Sequence, residues 1–207
     1  TNSLGSGQVL HCPYKADKAK LVLREMADLL VLDLVSKGLV TDQIVITVGY
    51  DIENLTDPKI KEKYHGEITT DHYGRKIPKQ AHGTTNLGGY TSSTKKILAT
   101  VSELYDRIVD MNLLVRRLNI TAAHVLDEAS APQKDNGYEQ LDIFTDYDAL
   151  KRKREQEQTE LEREKKMQRA MLDIKKKFGK NAILKGMNLE EGATAKDRNE
   201  QIGGHKA

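Results

Sequence analysis

Asp42-Gln43-Ile44-Val45-Ile46-Thr47-Val48-Gly49-Tyr50 sets the fold class. Ile44, Ile46 and Val48 fall on every second position, so an extended segment here has one apolar face, as a half-buried strand requires. Residues 115–125 repeat the pattern. Leu118, Ile120 and Ala122 point one way, and Arg117, Asn119 and Thr121 point the other. Before the first segment and again between the two, the period changes from two to about 3.6. Ala19, Val22, Leu23, Met26, Ala27, Leu30 and Leu34 form one buried stripe, ended by Lys37 and the helix-stopping Gly38. Ile97, Val101, Leu104, Tyr105 and Ile108 form a second stripe, opened by the capping residues Ser92, Ser93 and Thr94. Residues 2–10 and 80–90, both rich in Gly, supply the remaining strands. The order strand–helix–strand–strand–helix–strand predicts an α+β fold of βαββαβ type, with two helices on one face of a four-stranded sheet and the other face open.

Composition bounds the rest. A chain of 207 residues suits one domain with an extension, or two small ones. Hydrophobic residues make up 38%, with no Trp and two Phe, which is lean for one core of full length. Charge is unevenly spread. Residues 1–126 hold 16 Lys and Arg against 14 Asp and Glu, whereas residues 151–178 hold 11 against 6, so the second part carries the basic excess. A single cysteine, Cys12, excludes an internal disulfide and fits a reducing cytoplasm. No apolar run spans a bilayer and no signal-peptide pattern opens the chain, so no membrane partner is expected. A strand-like start at Thr1 instead of Met suggests the C-terminal piece of a longer protein.

The chain therefore divides into a domain at 1–126, a tether at 127–145, a charged helix at 146–178 and a tail at 179–207. The open sheet face carries Arg117, Asn119 and Thr121 beside His82, Thr84 and Asn86, small polar and basic groups that suit phosphate and sugar contacts. Glycines 5, 7, 83, 88 and 89 would let another backbone approach. The plain alternative is an ordinary solvated sheet face. The insertion at 53–80 has a hairpin tip at Asp71-His72-Tyr73-Gly74, placing Arg75, Lys76 and Lys79 where they could grip phosphates. His65, Asp71, His72 and His82 raise a metal site, but their spacings match no regular ligand pattern.

The tether is polar and punctuated by Pro132, Asn136 and Gly137, yet it ends in Gln140-Leu141-Asp142-Ile143-Phe144. Apolar side chains held out on a tether call for a partner's pocket, or else pack back on the domain as a short strand or helix start. The charged run that follows reads as a solvated helix without a coiled-coil seam, in which Lys151-Arg152-Lys153-Arg154 and Lys175-Lys176-Lys177 could also meet nucleic acid. The tail shows no readable structure.

No catalytic set emerges. Asp127-Glu128 is the sole adjacent Asp-Glu pair and follows the last strand, and Asp51 with Glu53 leads into a loop. Two-metal chemistry needs carboxylates converging on one site, and neither pair has a second group to meet. There is no phosphate-cradling Gly-x-x-x-x-Gly-Lys loop.

Ser3-Leu4-Gly5-Ser6-Gly7-Gln8, Gly38-Leu39-Val40-Thr41-Asp42-Gln43, His82-Gly83-Thr84 and Leu114-Val115-Arg116-Arg117 together resemble the C-terminal part of a Y-family lesion-bypass DNA polymerase of the bacterial UV-repair (ImpB/MucB/SamB) kind. Residues 1–126 are similar to its little-finger domain, and 140–144 resemble the sliding-clamp-binding peptide Gln-Leu-x-Leu-Phe, with Ile143 for the second Leu. Residues 180–185 and 201–207 resemble the end of longer, Gram-positive-type members. The resemblance implies a sheet that holds double-stranded primer–template DNA by its backbone, and a motif, Gln140, Leu141, Asp142, Ile143 and Phe144, that docks on the bacterial sliding clamp. It also implies an upstream remainder of the polymerase. That remainder would carry the palm, its Mg2+-binding carboxylates and the nucleotidyl transfer, leaving no cofactor to this chain. Other readings are an RNA-binding ferredoxin-like module, which would need stacking aromatics such as Tyr50 and Tyr90, and a protein-interaction scaffold.

Overall fold

The computed structural model describes residues 2–132, 147–202 and 205–206. The motif at 140–144 lies outside the described residues.

Four long strands build the sheet: β1 (Leu4–Tyr14), β2 (Leu39–Tyr50), β5 (Ala81–Thr91) and β6 (Val115–Ala123). Two short strands, β3 (Ile68–Thr70) and β4 (Lys76–Pro78), form a separate hairpin between β2 and β5. The sheet order is β1-β6-β2-β5, and every neighbouring pair is antiparallel. Helix α1 (Ala16–Ser36) carries the chain from β1 to the parallel strand β2, with β6 paired between them. Helix α4 (Thr94–Ile108) carries it from β5 to β6 across β2 in the same way. The α+β class and the βαββαβ order match the expectation from the periodicity, and the structure adds the interleaved strand order. β7 (Leu126–Asp127) adds a short pairing to the start of β2, followed by a 3-10 turn at Glu128–Ser130.

Both helices lie on one face. Ile44, Ile46, Val48, Leu118, Ile120 and Ala122 from the sheet are sealed beneath Val22, Met26, Leu34, Ile97, Val101 and Leu104. Removing one such Leu costs about 2–5 kcal/mol, through lost transfer energy and the cavity left behind. Tyr105 is the largest fully buried side chain among the described residues, and its hydroxyl donates to the Ala16 carbonyl at 2.8 Å. Local signals set the ends: Gly38, at φ +67, stops α1, and the Ser93 hydroxyl accepts from Lys96 N at the start of α4.

Gly83 is used differently from the sequence expectation. A Cβ there would lie 2.9 Å from Leu104 and 3.0 Å from Ile108, so this glycine admits α4 to the sheet and offers nothing to an outside backbone. Gly5 and Gly7 do face outward, but the space above them is taken by Thr121 and Asn119.

The insertion also folds. Two single-turn helices, α2 (Glu53–Thr56) and α3 (Pro58–Lys61), precede the hairpin. Buried Asn54 fixes its base, donating to the Asp51 and Leu114 carbonyls and accepting from Leu114 N.

A third layer covers the helices. Helix α5 (Tyr147–Phe178) is the long charged helix read from the sequence, but it is not solvated throughout. Gln168 and Met171 are buried, and Gln168 donates to the Ser92 carbonyl and the Thr94 hydroxyl, both at 2.9 Å. Glu164 caps α4, accepting from Ser93 Oγ at 2.7 Å and Lys95 N at 2.9 Å. Lys165 pairs with Glu128. The tail, through a 3-10 turn at Gly186–Leu189 and helix α6 (Ala195–Asn199), returns over α1. A last pairing joins β8 (Gln201–Ile202) and β9 (His205–Lys206).

Candidate nucleic-acid interface

The register arranges the open face into rows across the strands. Gly7, Asn119, Thr47 and His82 form one row; Gly5, Thr121, Val45 and Thr84 form the next. Gln43 opposite Asn86 continues the series at one end, and Val9, Arg117 and Gly49 at the other. Neighbouring strands lie about 4.8 Å apart, so a row reaches across about 15 Å. All six residues read from the sequence (Arg117, Asn119, Thr121, His82, Thr84 and Asn86) therefore sit on one surface, and the structure brings them together.

The same register adds Gln43 and Thr47, which the sequence reading passed over. Their signal was the alternation of β2 itself, since residues between Ile44, Ile46 and Val48 must emerge opposite the core. Both brace their neighbours. Thr47 Oγ1 and His82 Nδ1 are 2.9 Å apart, and Gln43 Nε2 donates to Asn86 Oδ1 at 3.0 Å. These cross-strand pairs pre-order polar groups on a low surface. A Cβ on Gly7 would fall 2.5 Å from Asn119 Oδ1, one on Gly5 3.0 Å from Thr121 Oγ1, and one on Gly49 3.2 Å from Arg117 Cβ. Glycine on both sides is thus what lets the β6 side chains spread across the sheet.

Arg75, Lys76 and Lys79 belong to the hairpin at the end of this face, between β2 and β5. Lys76 is exposed. Arg75 and Lys79 are engaged within the hairpin: Arg75 with Asp71 at 2.7 Å, Lys79 with Glu67 at 2.7 Å. The Arg75 guanidinium beside it, joined by the N–H groups of Arg75 and Tyr73, holds the Asp71 carboxyl below the usual carboxylate range. The isolated exposed Lys79–Glu67 pair contributes little stability and leaves Lys79 available for a phosphate oxygen, whereas Arg75 is also held through the Asp71 turn.

Among the described residues, no group of three or more His, Cys, Asp or Glu converges as a metal site, and no helix is long and apolar enough to cross a membrane. The carboxylates considered for catalysis have structural work instead. Asp51 accepts from Glu53 N at 2.9 Å and faces Arg116 at 3.7 Å, while Glu128 pairs with Lys165. Tyr50, considered for base stacking, is buried in the core, where its hydroxyl accepts from Asp110 N at 2.9 Å.

An interleaved four-stranded sheet with helices behind it and a polar, glycine-flanked face in front has the architecture of a little-finger domain. Residues 2–142, about two thirds of the chain, match the impB/mucB/samB family C-terminal domain, and the chain belongs to this family. It is thus a C-terminal domain of the Y-family lesion-bypass polymerase type. The match takes in Gln140, Leu141 and Asp142 and ends before Ile143. No curated protein matches the chain.

Proposed function

We propose that this chain holds primer–template DNA by its backbone and docks the sliding clamp for an error-prone translesion polymerase. The observation that carries the first half is the row structure of the open face. It offers hydroxyl, amide, imidazole and guanidinium groups at strand spacing, with no tyrosine, phenylalanine or tryptophan among them. Such groups reach phosphates and sugars, and a face without aromatics offers no stacking platform for bases, which suits an enzyme that must copy templates of any sequence. The RNA-module reading loses Tyr50 to the core and keeps only the half-buried Tyr90 at the end of β5.

Clamp docking rests on residues 140–144, whose Leu141, Ile143 and Phe144 would enter an apolar groove on the clamp. A micromolar peptide contact, about −8 kcal/mol, suffices when DNA and clamp hold the same chain and raise each other's effective concentration. Mg2+ and nucleotidyl transfer are assigned to the catalytic part of such a polymerase.

The test is a salt series of binding to a primer–template duplex, with and without a loaded clamp. Binding through the sheet face and hairpin alone uses four cations, Arg75, Lys76, Lys79 and Arg117, so the slope of log K against log salt should be no steeper than about −4. Affinity should rise when the clamp is present. A strong preference for one duplex sequence would refute backbone holding, and indifference to the clamp would refute docking.

A further inference from the structure

The hairpin β3–β4 carries an aromatic that the DNA-holding face does not account for. Tyr73, at the tip, is 78% exposed, and the Arg75 guanidinium lies over its ring, 5.1 Å from the centroid. His72 meets the ring edge-on at 5.5 Å.

The tip is rigidly built. Asp71 Oδ1 accepts from the N–H groups of Tyr73 and Arg75, both at 2.9 Å, and Asp71 Oδ2 takes the Arg75 guanidinium. Gly74, at φ +76, closes the turn. The base is equally fixed, since Lys79 N donates to the Glu67 carbonyl at 2.8 Å and Tyr64 Oη to the same carbonyl at 2.6 Å. The Tyr73 ring is thus braced by a cation on one face while the residue stays 78% exposed. A solvated tyrosine normally gains nothing from such bracing; a stacking platform gains a fixed plane and a nearby positive charge.

Position supplies the ligand. The hairpin lies in the connection from the end of β2 to the start of β5, the end of the sheet where Thr47, His82 and Arg117 lie. We propose that Tyr73, braced by Arg75, stacks on an unpaired base of a single-stranded template extension beyond the duplex held by the sheet. Paired bases cover one another's faces, so a platform of this kind selects single-stranded DNA. Lys76, exposed two residues beyond Gly74, is placed to meet its phosphates. This inference rests on the DNA-holding reading and adds a second contact of different chemistry to it.

The chain has no tryptophan, so Tyr73→Trp creates a unique fluorophore at the tip. In the 207-residue chain, its emission should be quenched by a duplex with a single-stranded template extension and not by the blunt duplex. Tyr73→Ala should lower affinity for the tailed duplex about tenfold and leave the blunt duplex unchanged, while Tyr73→Phe keeps both. Equal affinity of Tyr73→Ala and the unsubstituted chain for the tailed duplex, or equal losses on both duplexes, overturns the stacking site while leaving sheet-held DNA intact. Failure of the unsubstituted chain to bind either duplex at low salt overturns the DNA-holding reading, and this inference with it.

Discussion

Thr194 donates its backbone N–H to Glu25 Oε2 at 2.7 Å, joining the tail to the middle of α1 across 169 residues of chain. Glu25 is 1% exposed, and it also accepts from Asn188 Nδ2 at 2.7 Å and Ala195 N at 3.1 Å. A buried carboxylate survives only when its oxygens are occupied, and here three donors, all from the tail, occupy them. Lys185 pairs with Asp28 one turn further along α1, and Arg198 donates to Ser6 Oγ at 2.7 Å on β1. The tail is thereby part of the domain's packing, although the family match stops well before it.

Replacing Glu25 with Ala removes the acceptor for all three donors. The expected loss is about 3 kcal/mol, since hydrogen bonds to a charged group contribute about 1.5–3 kcal/mol each and the freed tail donors partly recover in water. Urea unfolding should show a lower midpoint, and trypsin should cut after Lys185 and Lys196 earlier than in the unsubstituted chain. An unchanged midpoint together with unchanged protection would mean that other contacts hold the tail.

Two adjacent positions test the faces of β5. Gly83→Val pushes side-chain atoms into Leu104 and Ile108, and overpacking of that kind costs about 1–3 kcal/mol. DNA affinity should survive in the folded fraction. Thr84→Ala, one residue on and facing outward, should change stability by no more than about 0.5 kcal/mol while weakening DNA binding. The reverse pattern would place the DNA face on the helix side and sink the register.

What the sequence revealed and what it hid divide along this boundary. Alternation marked the two faces of β2 and β6, because a period of two leaves no freedom once one face is apolar, while the Gly-rich β1 and β5 left a one-residue uncertainty that only their pairing resolves. Helix α4 was legible for the same reason, with one stripe and one polar side. In α1 the signal was present and unread: Leu21 and Leu32 lie off the main stripe and are buried, so the helix is covered on two sides. The tail docks through isolated polar groups such as Asn188, Thr194 and Lys185, which carry no periodicity, and each matters only when its partner on α1 is known. Likewise the acidic stretch of α5 gained meaning from Glu164 at the start of α4 and Glu160 near Lys95. Asn54, three bonds deep in the insertion's base, was equally invisible, since its partner Leu114 is 60 residues away.

Alkaline pH should weaken the fold through Tyr105. Burial pushes its phenol well above the ordinary value of 10.0, so the folded state keeps a proton that the unfolded chain releases. The contribution is complete below pH 10.0 and falls away as pH rises through and beyond it. Tyr50, also raised by burial, acts in the same direction. Tyr105→Phe should cost about 1 kcal/mol at neutral pH by losing the bond to Ala16. It should also flatten the decline in melting temperature between about pH 9.5 and 11. Parallel declines in both proteins would show that Tyr105 is not the titrating group.

The two halves of the proposed function should come apart by single substitutions. Phe144→Ala removes an apolar anchor of the clamp peptide, and loss of such an anchor costs about 2 kcal/mol or more, roughly thirtyfold in affinity for the isolated clamp. Binding to clamp-free duplex should not change. Arg117→Ala should do the opposite, weakening duplex binding equally for all sequences and reducing the salt slope by about 1, with clamp affinity intact. On DNA carrying a loaded clamp, each substitution should weaken retention, because the two contacts multiply through effective concentration. Undiminished clamp affinity in Phe144→Ala would remove residues 140–144 as the docking peptide. A loss in Arg117→Ala confined to particular sequences would replace backbone holding with base reading at that position.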